Sequence, residues 1–291
     1  MKVSHKVAVS ASIVIVLAFS LFSWVQYASI RTTLFEKAQT STQESSKALA
    51  IQVSHWLNGK LHLIDVIAQT LDPNFSHEQA RQAMALPIYK QEFLLLFGGL
   101  DAGGERLTND PSWNPLGWDA RKRPWYPFAK NHDRAVFTEP YLSTEGDILI
   151  SAVAQLTDRG QSKGAFGGDI SLNTVSEAVN TLNFNNSGYA FLVNEAGQII
   201  SHPNTELNGK SITQFIAGNS PALTNKLTQA NLQTGESVYL SFEPLPNLYG
   251  TKWYIGVVLE QDKVMASANR LGLIAIVSAV IAALLVSFVL F

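Results

Sequence analysis

The chain runs to 291 residues with 21 Lys+Arg against 23 Asp+Glu, a net charge of -2 and 46% hydrophobic residues. That apolar content excludes a disordered chain, the length allows more than one domain, and the charge balance leaves no basic surface for nucleic acid. No residue is cysteine, which rules out disulfides and fits a secreted or periplasmic domain held together by core packing alone.

In chain order, the first feature is Val7–Val25, an uncharged run long enough to span a hydrocarbon core as a helix. Lys2 and Lys6 precede it. A transmembrane helix over 7–28 is expected, with residues 1–6 in the cytoplasm by the positive-inside rule. The alternative is a cleaved signal peptide ending near Tyr27-Ala28-Ser29, but the uncharged core is longer than a usual signal core. Leu271–Phe291 is equally apolar and is expected to be a second span, over 271–291. The intervening segment then lies on the far side of the membrane. Because the chain stops inside an apolar run, a cytoplasmic output domain is expected beyond Phe291.

Between Ser29 and Thr70 there is no proline and only one glycine, Gly59, while Val53, Leu57, Leu61, Ile64, Ile67 and Leu71 recur every three or four positions. This spacing predicts one long amphipathic helix over 29–71, stopped at Asp72-Pro73-Asn74 because proline cannot continue a helix. A short helix is expected over 77–84. Residues 92–108 read as two strands joined by an Asp-Ala-Gly-Gly turn, and 134–141, 147–155 and 164–172 as further strands of an antiparallel sheet. The same grammar recurs in 188–203, 235–245 and 252–259, followed by a connecting helix over 261–270. The expected fold class is α+β, with two antiparallel-sheet modules, 72–182 and 183–260, carried on one long helix.

Residues 117–127, GWDARKRPWYP, crowd two arginines, a lysine and three aromatics beside two prolines. Together with Thr-Glu-Pro-Tyr at 138–141 and Gly-Gly-Asp-Ile at 167–170, this stretch resembles the double-Cache sensor domains of bacterial transmembrane receptors, especially methyl-accepting chemotaxis proteins. The resemblance covers nearly the whole segment between the spans. It implies two PAS-like modules, with 72–182 distal to the membrane and binding ligand, and 183–260 proximal and transmitting. It also implies a homodimer, cytoplasmic signalling partners acting through the output domain, and no cofactor. In the amino-acid-binding subset, the matching positions that line the distal pocket are Arg123, Trp125, Tyr126, Tyr141 and Asp169. Two positions depart from that subset: Trp118 stands where tyrosine is usual, and Ser143 where aspartate is common.

The chemistry agrees with the resemblance. A free amino acid is a zwitterion, so its site needs a planar cation for the carboxylate, an anion for the ammonium and walls that exclude water. Arg123 and Asp169 can supply the two charges, and Trp118, Trp125, Tyr126 and Tyr141 the walls. Ser143 removes a charge from the ammonium side and Trp118 adds bulk, which together favour a short amino acid or amino sulfonate over a diamine.

Plainer readings stand beside these. Trp125 and Tyr126 can be core aromatics of a helix start, the basic triplet 121–123 a solvated turn, and Asp169 the cap of a helix beginning near Leu172. Arg121 is expected to pair with Asp119. His55 and His62, seven apart, read as packed or dimer-facing rather than as metal ligands. Ser201-His202-Pro203-Asn204, near Tyr189, comes without an arginine–tryptophan cluster. No serine-hydrolase, zinc-protease or phosphate-loop pattern occurs, so an enzyme is not expected. The rival readings are a membrane-anchored enzyme, a sensor that docks a periplasmic binding protein, and the sensor of a diguanylate cyclase or histidine kinase recognising an amine, organic acid or purine.

Overall fold

The computed structural model describes residues 3–181, 184 and 186–290; the side chains of 3–9, 11, 12, 15, 282, 283 and 285–290 lie outside that description. Helix α1 (Val3–Leu71) is continuous over 69 residues. Its apolar stripe is the predicted one: Val53, Leu57, Leu61, Ile64, Ile67 and Leu71 are each at most 2% exposed. The helix ends at the predicted proline, where the Asp72 carboxylate and carbonyl accept the backbone N–H groups of Gly160 (2.8 Å) and Arg159 (2.6 Å). Those two residues form a tight hairpin turn with φ of 53° and 76°, the left-handed geometry that matches strand twist.

Helices α2 (His77–Met84) and α3 (Pro87–Glu92) follow, the first capped by Ser76. The first sheet holds β1 (Leu96–Leu100), β2 (Arg106–Thr108), β3 (Val136–Phe137), β4 (Tyr141–Leu142), β5 (Ile148–Asp158) and β6 (Gln161–Ser171) in the order β2-β1-β6-β5-β3, with β4 also on β5. Helix α4 (Trp125–Lys130) covers one face, and α1 packs on the other. Two expected elements change. The pair of strands expected over 92–108 starts only at Leu96, because α3, opened by Pro87, runs to Glu92; the strand at 134–141 splits into β3 and β4 around Pro140, which has no N–H to donate to a ladder.

After α5 (Leu172–Val179), the second sheet holds β7 (Gly188–Asn194), β8 (Ile199–Ser201), β9 (Thr228–Asn231), β10 (Ser237–Pro244) and β11 (Trp253–Glu260). Its order, β8-β7-β11-β10-β9, repeats that of the first sheet, with the opening hairpin paired to the last strand. The polar strand β9 lacks an apolar signal and was not expected. One core runs through both modules along α1, from Leu71 past Phe137 and Trp253 to Leu49. Gln39 fastens the second module to α1, donating to the Asn225 carbonyl (3.2 Å) and accepting from the Leu227 N–H (2.7 Å).

The connecting helix expected over 261–270 is broken at Met265 into α6 (Gln261–Val264) and α7 (Ala266–Leu290). Helix α7 lies against α1, with Tyr27 packed over Gly272 and its hydroxyl donating to Asn269 at 3.3 Å. Among the described residues, no helix is long and apolar enough to cross a membrane. The two expected spans, 7–28 and 271–291, fall partly on residues outside the description.

Candidate ligand site

Residues on the face of the first sheet turned away from α1 alternate along the strands, as the pleat requires. Phe97, Val153 and Ala165 pack there with Trp125 and Tyr126 of α4. Two residues along β5 and four along β6, the same face carries Ser151 and Asp169, directly opposite each other in the ladder. The Asp169 Oδ1 accepts from the Ser151 hydroxyl (2.5 Å) and the Tyr141 hydroxyl (3.2 Å). Asp169 is only 9% exposed, and burial pushes its carboxyl up to about 7 against the pull of those hydrogen bonds and of Arg123. Burial likewise raises the Tyr141 phenol, so it stays protonated and a donor.

Arg123 borders the same space. Asp119 caps the short 3-10 turn Ala120–Lys122 by accepting the Arg121 N–H at 3.0 Å, and Arg123 leaves the turn extended, as a residue before proline prefers. Its guanidinium donates to the Leu142 carbonyl at 3.1 Å. The neighbouring Arg121 pairs with Asp119 (Nη2 to Oδ2, 2.8 Å), as expected, and that hydrogen bond holds the Asp119 carboxyl down at about 2.

Between these groups lies a cavity of about 690 Å³. Trp118, Arg123, Trp125, Tyr141, Ser143 and Asp169 all line it. Tyr126 does not: its hydroxyl donates to Asp101 at 2.8 Å, on the far side of α4, where Lys130 and Ser162 also bind that carboxylate. Consecutive helical residues point about 100° apart, so Trp125 and its neighbour cannot share one wall. Asp169 is not a helix cap either; Ser171 caps α5 by accepting the Asn173 N–H at 3.1 Å.

Several lining residues carry no sequence signal of their own. Trp113 packs edge-on against Trp118 with ring centroids 5.0 Å apart, and Trp118 stacks toward Trp125 at 6.5 Å, making a tryptophan wall. Asp110, Glu145 and Asp147 bring carboxylates, and Thr205 and Asn208 reach in from the second module. His202, beside Tyr189 (5.2 Å), is 3% exposed, and burial lowers its imidazole to about 4, so it is neutral. His55 and His62 are exposed on α1, and among the described residues no cluster of metal-ligating side chains occurs.

A family model for the Cache domain, dCache_1, matches residues 27–268. The chain belongs to the double-Cache family. The chemotaxis protein PctB of Pseudomonas aeruginosa is 33% identical over 283 residues, covering 97% of this chain and 45% of PctB. McpA of Pseudomonas putida is 30% identical over 284 residues, covering 97% of this chain and 44% of McpA. The chain thus spans a little under half the length of these curated relatives. The PctB ligand-binding domain solved with L-Arg superposes with a TM-score of 0.74, covering 79% of this chain and 98% of that one at 33% identity. That of Pseudomonas fluorescens CtaA with L-serine gives 0.72, covering 78% and 99% at 28% identity.

Proposed function

We propose that this double-Cache chain is the sensor region of a bacterial inner-membrane chemoreceptor, and that it binds a free amino acid between Arg123 and Asp169. The observation that carries this reading is the shared cavity, with one guanidinium and one buried carboxylate at its sides and a tryptophan wall between. Arg123 would take the ligand carboxylate, Asp169 Oδ2 and the Tyr141 oxygen the ammonium, and Trp118 and Trp125 would exclude water. The cavity stays open beside Trp118, which favours a free ligand over a docked binding protein. The relatives are chemotaxis receptors, which favours that output over a cyclase or kinase and speaks against an enzyme.

Surface chemistry supports a membrane arrangement. Leu17, Phe22 and Trp24, in the N-terminal part of α1, and Leu273, Ile276 and Leu284, on α7, are each at least 62% exposed, a surface suited to lipid. Lys60, buried on α1 and bonded to Glu92 at 2.5 Å, lies about 50 Å beyond Ala28 at the helical rise, which supports reading the first module as the membrane-distal one. The outer face of α1, with Ile51, His55, His62 and Val66 exposed, would pair two copies in a homodimer. Signals would leave through α6 and α7 to a cytoplasmic domain.

The test is isothermal titration of the intact chain in detergent against the common amino acids, amines and organic acids. At least one amino acid should bind, and Arg123→Ala should abolish binding while leaving the melting temperature of the empty protein within a few degrees. Amino-acid binding that survives Arg123→Ala would overturn the assignment.

A further inference from the structure

The cavity carries more negative charge than an amino-acid head can match. Its lining has four carboxylates, Asp110, Glu145, Asp147 and Asp169, against one guanidinium, Arg123. A zwitterionic head placed as proposed uses Arg123 and Asp169 and leaves three carboxylates, of which Asp110 has Lys90 as a cationic neighbour.

Two of the three belong to a turn built on Ser143, a residue that departs from the family pattern. The Ser143 hydroxyl accepts the backbone N–H groups of Glu145 (3.2 Å) and Asp147 (3.1 Å), and the Ser143 N–H donates to the Asp147 carbonyl at 2.8 Å. Gly146, at φ 96°, supplies the left-handed residue the turn needs. The turn built on Ser143 thus carries carboxylates two and four residues beyond it, both on the cavity lining. Elsewhere on the lining, Ser112 donates twice to Asp110 (2.7 and 2.9 Å) and holds its carboxyl below the ordinary range, so it is charged. Trp113 and Trp118 add aromatic surface beside it, a favourable neighbour for a cation. At about 690 Å³ the cavity also has room for a long side chain.

We propose that the preferred ligands are basic amino acids, whose side chain ends in a guanidinium or ammonium set among Asp110, Glu145 and Asp147 beside the Trp113–Trp118 wall. This rests on the Arg123–Asp169 reading of the head group. It replaces the sequence-based expectation of a short amino acid.

The test compares L-arginine and L-lysine with their uncharged counterparts L-citrulline and L-norleucine, by titration of the intact chain in detergent. The three carboxylates are solvent-exposed, so each pair is weak and screened; a preference of about tenfold for arginine over citrulline is expected at low salt, shrinking as salt rises. In the Glu145→Gln, Asp147→Asn double variant the arginine-to-citrulline ratio should fall to about threefold or less. Equal affinity for the charged and uncharged members, or a ratio unchanged in the double variant, would overturn the inference. If all four bind in an Arg123-dependent way without preference, only this inference fails. If none binds, it falls together with the head-group reading.

Discussion

Asp169→Asn isolates the charge on the ammonium side with little change in shape. Asparagine keeps an oxygen where Ser151 and Tyr141 now donate, so the β5–β6 ladder and its neighbours should hold. What is lost is one charge-assisted hydrogen bond in a site that is 9% exposed, about 1.5–3 kcal/mol, or about 10- to 150-fold in Kd. The pH dependence is the sharper readout. With its carboxyl raised to about 7 by burial, half of the empty sites are protonated at neutral pH, and an ammonium ligand must displace that proton. Affinity should therefore be steady above about 7 and fall about tenfold for each unit below it, with a proton released on binding. The asparagine variant should show no such slope. In the empty protein the folded-state pKa lies above the ordinary 3.8, so the contribution of this group to stability is complete below about 4 and lost as pH rises through 7. Titration calorimetry at pH 5.5, 6.5 and 7.5 (roughly one-unit steps through the transition), in two buffers of different ionisation heat, measures slope and proton release together. A wild-type slope equal to that of the variant would refute Asp169 as the ammonium partner.

Tyr126→Phe should leave amino-acid affinity within about twofold and lower stability by about 1 kcal/mol, since it removes only a bond to Asp101 outside the cavity; comparing calorimetric Kd with denaturation midpoints checks both. Leu61→Ala, at a position 1% exposed in the core shared with α1, should cost about 2–5 kcal/mol by chemical denaturation.

The residues that could be read in the sequence are those whose behaviour is decided within a few positions. Pro73 ends α1, the three-and-four spacing from Val53 to Leu71 sets its buried stripe, and Asp119 and Arg121 pair across two residues. The motif around Arg123 and its family resemblance named six of the residues that line the cavity. Tyr126 was misjudged because adjacency in sequence says nothing about which face of α4 a side chain takes. Ser151 opposite Asp169 depends on a register shift between Leu156 and Thr157. A one-residue slip there would turn every β5 side chain beyond it to the other face of the sheet. Glu145, Asp147, Thr205 and Asn208 likewise enter the cavity only because a turn and a second module bring them there. Local sterics and helical period act over three or four residues and are written in the chain. The charge inventory of a cavity is summed over segments as far apart as Asp110 and Asp169, and strand register and module packing decide which of them meet.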